Sequence, residues 1–446
     1  MIWIHRCILL LAIYLELLLI SDLRLDAVAQ GPNWQAGTLF LLALFIGMYP
    51  LFWINKPLTP NWTWKTRIEH AAVWPIIRRI LSHPFSLFAI SWITLWKNVP
   101  IIQAGIERYE INVANSDIIP QIQVLLERFL AGENPYQPIT DWGYKLISPY
   151  LPMYWLPFGI PECFDFDPRW LCFSIFVLGA FALIYQLSQQ SMALPLKILL
   201  ALAPGEYLWH YINAYPIVSS HTVELMIAGY YLLLTAALLS QNSWLRTIAL
   251  ICCLLSRFSL LLWMPLYVLI RWDQLTRRGF LKEMGGLLAA VSLLYLIPFF
   301  LRDPGFFFEG LAYHDKVALR NWTFEPWFDA TGRPGILFKG VGLAGYVYEW
   351  FGGEVAQKLA LIKKAQLVLS LLVSIGLGIL WRIRLKGNRI FALISLKIGL
   401  VVFYNLLAMP VEYYWLVPSI LSLGLLIWAF SDRQPESEDR QHTQQH

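Results

Sequence analysis

The sequence predicts an all-α fold, a polytopic transmembrane helical bundle of about 10–12 spans. Three observations predict it. Apolar residues make up 58% of the 446 positions and charged residues only 14%, whereas soluble domains carry about a quarter. Too little charge remains to coat a water-soluble globule of this size. The apolar residues are also gathered into runs close to the ~20 residues that a helix needs to cross hydrocarbon. Finally, the 21 Trp and 21 Tyr suit a protein with two water–lipid interfaces, where such rings settle.

Taken in order, the candidate spans are 3–20, 37–54, 84–101, 170–187, 194–211, 217–240, 247–270, 284–301, 365–381, 390–409 and 413–430. The stretch 148–160, with Pro149, Pro152 and Pro157, is apolar but short. It either crosses as a kinked helix or dips in from one side, and proline at that depth needs neighbouring helices to satisfy the freed carbonyls. Loop charge sets the orientation. Lys56, Lys65, Arg67, Arg78 and Arg79 place 55–83 in the cytoplasm, as Arg271, Arg277, Arg278 and Lys282 place 271–283. Segment 382–389 is basic without an acid and belongs with them. Segment 102–147 is acidic and forms a first outer loop; 302–364 forms a second, in which Lys363 and Lys364 sit awkwardly. This scheme closes only if 148–160 crosses.

Residues 1–430 therefore read as one integral membrane domain, followed by a polar cytoplasmic tail, 431–446, expected to be disordered. The N-terminus resembles a signal peptide, with Ala27-Val28-Ala29 as a cleavage site, but Glu16 inside the apolar run argues against cleavage. Residue 30 is outside in either case. No internal repeat is present, which weakens a transporter built on inverted repeats. A net charge of +5 without a continuous basic face excludes nucleic acid as a partner. Cys7, Cys163, Cys172, Cys252 and Cys253 show no metal-ligand spacing and read as small hydrophobes.

The first outer loop carries the most information. Asn115-Ser116-Asp117 opens a helix whose apolar stripe runs through Ile118, Ile122, Leu125, Leu126 and Phe129, with Gln121 off it. Gly132 ends the helix, which lies along the membrane surface. Glu133-Asn134-Pro135-Tyr136 is a turn. Asp141-Trp142-Gly143-Tyr144-Lys145 follows, and then Ser148-Pro149 enters the bilayer.

An Asp opening a surface helix, then Leu130, Gly132 and Pro135-Tyr136, then Tyr144-Lys145 and Ser148-Pro149, resembles the first outer loop of GT-C class glycosyltransferases. The resemblance is to the mannosyltransferase-like family that uses polyprenyl-phosphate sugars. It continues more weakly through Ser256-Arg257-Phe258-Ser259-Leu260 to Pro265 and is best over about 110–270. The sequence departs from the family pattern in Arg257 for the commoner Lys, in Ser148-Pro149 for a double proline, and in extra spans before the loop.

The resemblance implies a GT-C-like fold and transfer of a hexose such as mannose from a polyprenyl-phosphate-linked donor. The acceptor is a glycan, glycolipid or protein at the outer face of a bacterial inner (plasma) membrane. Such transfer needs a base for the acceptor hydroxyl and positive charge at the departing phosphate. By the resemblance Asp117 is the base; by its position alone it equally reads as a helix cap. Lys145 and Arg257 are candidates for the donor phosphate. Lys145 also reads as a snorkelling interfacial lysine. Arg257, a cation in an apolar run, is a functional hypothesis by default or else a structural partner of Glu224 or Glu206. Candidate cavity-lining residues are Glu110, Asp141, Tyr144, His221, Glu224, His314 and Asp315. His221 and Glu224 share a helix face, as two ligands too few for a metal site and more in keeping with a polar contact inside the bundle. His314-Asp315-Lys316 either lines the cavity or is a solvated turn. Gly340-Val341-Gly342 lacks the pattern of a phosphate loop. No cofactor is called for, and a divalent metal has no ligand set to support it. The rival readings are a transporter or flippase of lipid-linked glycans, and a polymerase or ligase using the same donor chemistry. A transporter would line many spans with polar groups near the midplane, whereas the ionisable residues here concentrate in two loops and near Arg257.

Overall fold

The computed structural model describes residues 2–21, 34–54, 74–328, 332–339 and 341–431. The expected cleavage site, most of the basic segment 55–83, Gly340 and the tail beyond Ser431 lie outside the described residues. Among those described, the protein is all-helical, with two isolated bridges, Ile139 to Leu146 and Phe328 to Pro334, in place of any strand. The helices are α1 (Ile2–Ser21), α2 (Trp34–Met48), α3 (Trp74–Leu81), α4 (Pro84–Trp96), α5 (Val99–Arg108), α6 (Ile118–Leu130), α7 (Pro152–Trp155), α8 (Gly159–Phe164), α9 (Pro168–Gln189) and α10 (Leu194–Ala214). They continue as α11 (Pro216–His221), α12 (Glu224–Leu239), α13 (Ser243–Leu254), α14 (Met264–Gln274), α15 (Arg277–Val291), α16 (Pro304–Thr323), α17 (Gly335–Lys339), α18 (Ala344–Trp350), α19 (Val355–Leu380), α20 (Phe391–Asn405) and α21 (Leu416–Phe430).

Seven helices among the described residues are long and apolar enough to cross a membrane. They are Trp3–Ile20, Trp34–Phe52, Pro84–Arg108, Pro168–Gln189, Arg277–Phe300, Val355–Leu385 and Tyr413–Phe430. Three shorter apolar helices, Glu224–Leu239, Ser243–Leu254 and Phe391–Asn405, run among them. The chain is a multi-pass membrane protein by this measure.

Packing follows the rule for helices in lipid, where small residues let backbones approach. Helices α9 and α12 cross at Gly179 and Gly229, and a Cβ on Gly179 would lie 2.3 Å from the Gly229 carbonyl oxygen. At the centre, Lys397 of α20 reaches Glu16 of α1 at 2.6 Å and the Pro418 carbonyl at 2.9 Å. Ser422 of α21 donates to the second Glu16 oxygen at 2.8 Å. This closed network fastens α1, α20 and α21.

Contacts between chain segments sort the loops onto two ends of the bundle. One end gathers Arg6 with Ala429 and Ser431, Ile54 with Asn388, and Gln190 with Ser431. The basic segments 271–283 and 382–389 are here, since Asp273 binds Arg382 and Lys386. The opposite end holds Ile20 with Tyr215, and Ser116 with His221.

The scheme that needed 148–160 to cross is corrected at two places: that stretch, left open between crossing and dipping, dips, and the expected span 247–270 does not cross. The stretch 148–160 does not cross. Arg169, at the start of α9, donates to the carbonyls of Tyr109 (2.5 Å) and Ile106 (3.3 Å) at the end of α5, so the chain is still at the end it left. Its prolines break it into α7, a 3-10 turn and α8, which dip in and return. The run 247–270 is a hairpin. Arg246 near the start of α13 and Arg271 near the end of α14 both bind Glu283, while Arg257 at the turn reaches Glu224 at the far end of α12. Each limb is about 17 Å long at 1.5 Å per residue. The two corrections offset each other, so the basic segments still share one end. The expected span 217–240 is broken into α11 and α12. Segment 302–364 holds α16, α17, α18 and the start of α19, and Lys363 on α19 pairs with Asp315 on α16, which accounts for a lysine that charge counting could not place.

Cysteine labelling tests the two ends. In a background stripped of the other cysteines, exposed Cys163 and an introduced Asn134→Cys should react alike with an impermeant maleimide in intact cells. Gln241→Cys should behave oppositely. Gln241→Cys labelling together with Asn134→Cys would show instead that 148–160 crosses.

Candidate functional site

The site is built where the first long loop meets the tip of the α13–α14 hairpin. Asp117 stands at the start of α6, yet its carboxylate makes no capping bond. The Ile118 amide is met instead by the Ser116 hydroxyl at 3.4 Å. The carboxylate turns away and accepts from the Tyr144 hydroxyl at 3.4 Å and from the Gln121 amide. Gln121, expected off the apolar stripe, is buried, and its Oε1 has no partner. Partial burial raises the Asp117 carboxyl above the ordinary carboxylate value, against the Tyr144 and Gln121 bonds that lower it. Burial first, and the Asp117 charge next, push the Tyr144 phenol up to about 12, so Tyr144 stays a donor at neutral pH. Tyr313 of α16 is within electrostatic reach of the same carboxyl.

Arg257 sits at the hairpin tip in extended backbone. One guanidinium nitrogen pairs with Glu224, whose side chain is 1% exposed, and the guanidinium lies over the Tyr414 ring at 4.7 Å. A cation against an aromatic face is favoured most where water is excluded. The pair is only half satisfied: Nη1 of Arg257 and Oε2 of Glu224 are buried without a hydrogen-bond partner. Tyr150 stacks on Tyr154 with ring centroids 4.1 Å apart and lies within electrostatic reach of both Asp117 and Arg257. An aromatic wall thus joins the carboxylate to the cation. Beside it, Tyr150, Ser148, Phe258 and Tyr295 line a narrow crevice, in which the Ser148 and Tyr295 hydroxyls are also unpartnered.

Of the residues expected from the sequence, Asp117 meets Tyr144 and Arg257 meets Glu224, and Tyr150 lies within electrostatic reach of Asp117 and of Arg257. Glu206 pairs with Lys97 at 2.5 Å rather than with Arg257. Lys145 is exposed, follows Tyr144, and makes no side-chain contact with Arg257 among the described residues. Glu110 is exposed in the turn before α6, held by Asn112 and Asn115. Asp141 is exposed and bonds only its neighbour Thr140. His221 does not pair with Glu224; its carbonyl accepts from Ser116, its ring meets Tyr109 edge-on at 5.2 Å, and its Nε2 is buried unpartnered. His314 is exposed, and Asp315 is taken by Lys363. Sequence reasoning missed Gln121, Tyr150, Tyr154, Tyr313 and Tyr414. Tyrosines are too frequent in an interfacial protein for any one of the 21 to stand out. Among the described residues no three His, Cys, Asp or Glu side chains converge as a metal site would require.

No family model, curated protein or solved structure matches the chain. The fold defines an all-helical multi-pass membrane protein, and what this one does must be argued from the site.

Breaking the ion pair has a calculable signature. Arg257→Met leaves Glu224 buried without its cation, which costs about 3–5 kcal/mol. Thermal unfolding in detergent should show that loss. The Glu224→Gln, Arg257→Met double variant should recover most of it. Equal stability of wild type and Arg257→Met would remove the pair from any structural role.

Proposed function

We propose that the chain is a GT-C-like membrane glycosyltransferase that moves a hexose from a polyprenyl-phosphate donor to a glycan, glycolipid or protein acceptor. The observation that carries the reading is the half-satisfied Glu224–Arg257 pair, with a buried guanidinium nitrogen left open, together with an Asp117 carboxylate that caps no helix. Buried polar groups without partners are rare and call for an explanation; an anionic headgroup supplies one for the guanidinium nitrogen. Arg257 then meets the donor phosphate, and exposed Lys145 adds a second charge from the loop side. The acceptor oxygen forms a bond to the anomeric carbon while the bond from that carbon to the phosphate oxygen breaks. The electron pair leaves with the lipid phosphate, and the acceptor's proton passes to Asp117. Direct displacement inverts the anomeric centre. The positive-inside rule puts the basic end in the cytoplasm and this site outside, as in the inner membrane of a bacterium. Tyr144 and Gln121 orient the carboxylate and temper its affinity for the proton.

Asp117→Asn is the direct test. Asparagine keeps the size and cannot take the proton, so transfer from a purified polyprenyl-phosphate sugar in liposomes should slow at least ~100-fold with little change in unfolding temperature. Near-normal turnover would move the base elsewhere. The base must be ionised, so activity is present above the raised Asp117 value and falls as pH drops through it. The Tyr144 hydrogen bond lowers that value. Tyr144→Phe should therefore shift the acid limb of kcat/KM to higher pH, whereas an unmoved limb would separate Asp117 from the titrating group.

A further inference from the structure

At the end of the bundle opposite the candidate site, a cavity of about 830 Å³ opens between α12, α14 and the loop before α20. Arg246 and Arg271 line it, and behind them both are bound to the fully buried Glu283, to which Tyr267 donates at 2.6 Å. Its rim carries Asp273, bound by Arg382 at 3.1 Å and by Lys386 at 3.5 Å. Arg389 also lines it, exposed and without a side-chain partner among the described residues. Each carboxylate is thus met by two cations, and the cavity wall itself carries four cations, Arg246, Arg271, Lys386 and Arg389, against one carboxylate, Asp273.

We infer that this cavity binds a phosphate-bearing anion at the basic face, independently of the proposed transferase site. Arg246 and Arg271 are held rigid by Glu283, and Lys386 and Arg389 supply the exposed charge that an entering anion meets. The forked guanidinium geometry suits phosphate oxygens. The volume is that of a headgroup-sized ligand rather than a single ion, and Leu238, Leu275 and Ala392 provide apolar wall. Basic pockets between helices at the cytoplasmic face are where anionic headgroups dock. The phosphate has two possible sources, the headgroup of an anionic phospholipid or a soluble phosphorylated compound.

The test uses the full chain in detergent with two probes: dioleoylphosphatidylglycerol, counted as bound adducts by native mass spectrometry against dioleoylphosphatidylcholine, and inorganic diphosphate, titrated by calorimetry. Lys386→Gln and Arg389→Gln lie on the exposed rim, so both variants should fold. Each should weaken binding about fivefold, and the pair about 25-fold, at roughly 1 kcal/mol per cation near a charged surface. Lys316→Gln, an exposed cation on α16 at the other end, should change nothing. Retention of phosphatidylglycerol alone makes a lipid the source, and diphosphate binding alone makes it a soluble compound; either supports the site. Binding of neither probe above phosphatidylcholine, or a double variant that binds as wild type does, overturns it.

Discussion

The structure turns on the tip of the α13–α14 hairpin. Two limbs too short to be ordinary crossings enter from the basic end and reverse at 255–263, where the helical ladder stops and polar groups are exposed at depth. In lipid each unsatisfied group costs several kcal/mol, so the reversal is possible only if neighbours meet it. The Met153 amide donates to the Leu255 carbonyl at 2.8 Å, and Ser374 to that of Leu262 at 2.9 Å. Ser259 is held between the hydroxyls of Tyr231 and Tyr404 at 3.1 Å each, and the Trp263 indole donates to Ser395. Four helices outside the hairpin, α7, α12, α19 and α20, are thereby indexed against one turn.

That indexing positions the candidate site. Because Met153 is tied to the tip, Tyr150 and Tyr154 are carried to Arg257, and the loop bearing Asp117 and Tyr144 is drawn over them. The dip at 148–160 and the hairpin are two halves of one arrangement: each brings irregular backbone to the same depth from opposite ends, and each satisfies the other. Neither would be stable at that depth alone.

The dominant signal in the sequence was hydropathy, and most of the bundle followed from it. Runs such as 3–20, 170–187 and 194–211 became helices within a few residues of their expected ends, because a helix in lipid needs little beyond length and apolar side chains. The run 247–270 failed for a physical reason. A window of about 20 apolar residues does not distinguish one crossing from two shorter limbs, and the break was written in residues of another kind, Ser256-Arg257 and Pro265. The short, proline-rich stretch 148–160 left crossing and dipping open, and the parity of the loops pointed to a crossing only because 247–270 was counted as one. At the site, Asp117 and Arg257 were legible because a charge at the edge of an apolar run is conspicuous. Their tyrosine neighbours were not, since only the fold decides which rings converge. Asp117 also departs from local expectation: a residue well suited to cap α6 leaves the helix to Ser116 and spends its carboxylate on Tyr144.

Among the described residues, three buried carboxylates, Glu16, Glu283 and Glu224, are paired with cations within the bundle, and they differ in how fully they are satisfied. Lys397 has its donors filled by Glu16, Ser422 and the Pro418 carbonyl, and both Glu16 oxygens are engaged. Glu283 has both oxygens taken by Arg246, Arg271 and Tyr267, and those arginines spend their remaining nitrogens on Ser240 and Gln274. Only Glu224–Arg257 is left with a free atom on each partner. Burying an ion pair is costly unless the remaining lone pairs and protons are met, and the same bundle meets that demand fully in two places. An open valence at the third is therefore not a general looseness of packing. It coincides with the aromatic wall and with the convergence of the two irregular segments, and this coincidence is what supports the proposal that the pair is more than a structural brace.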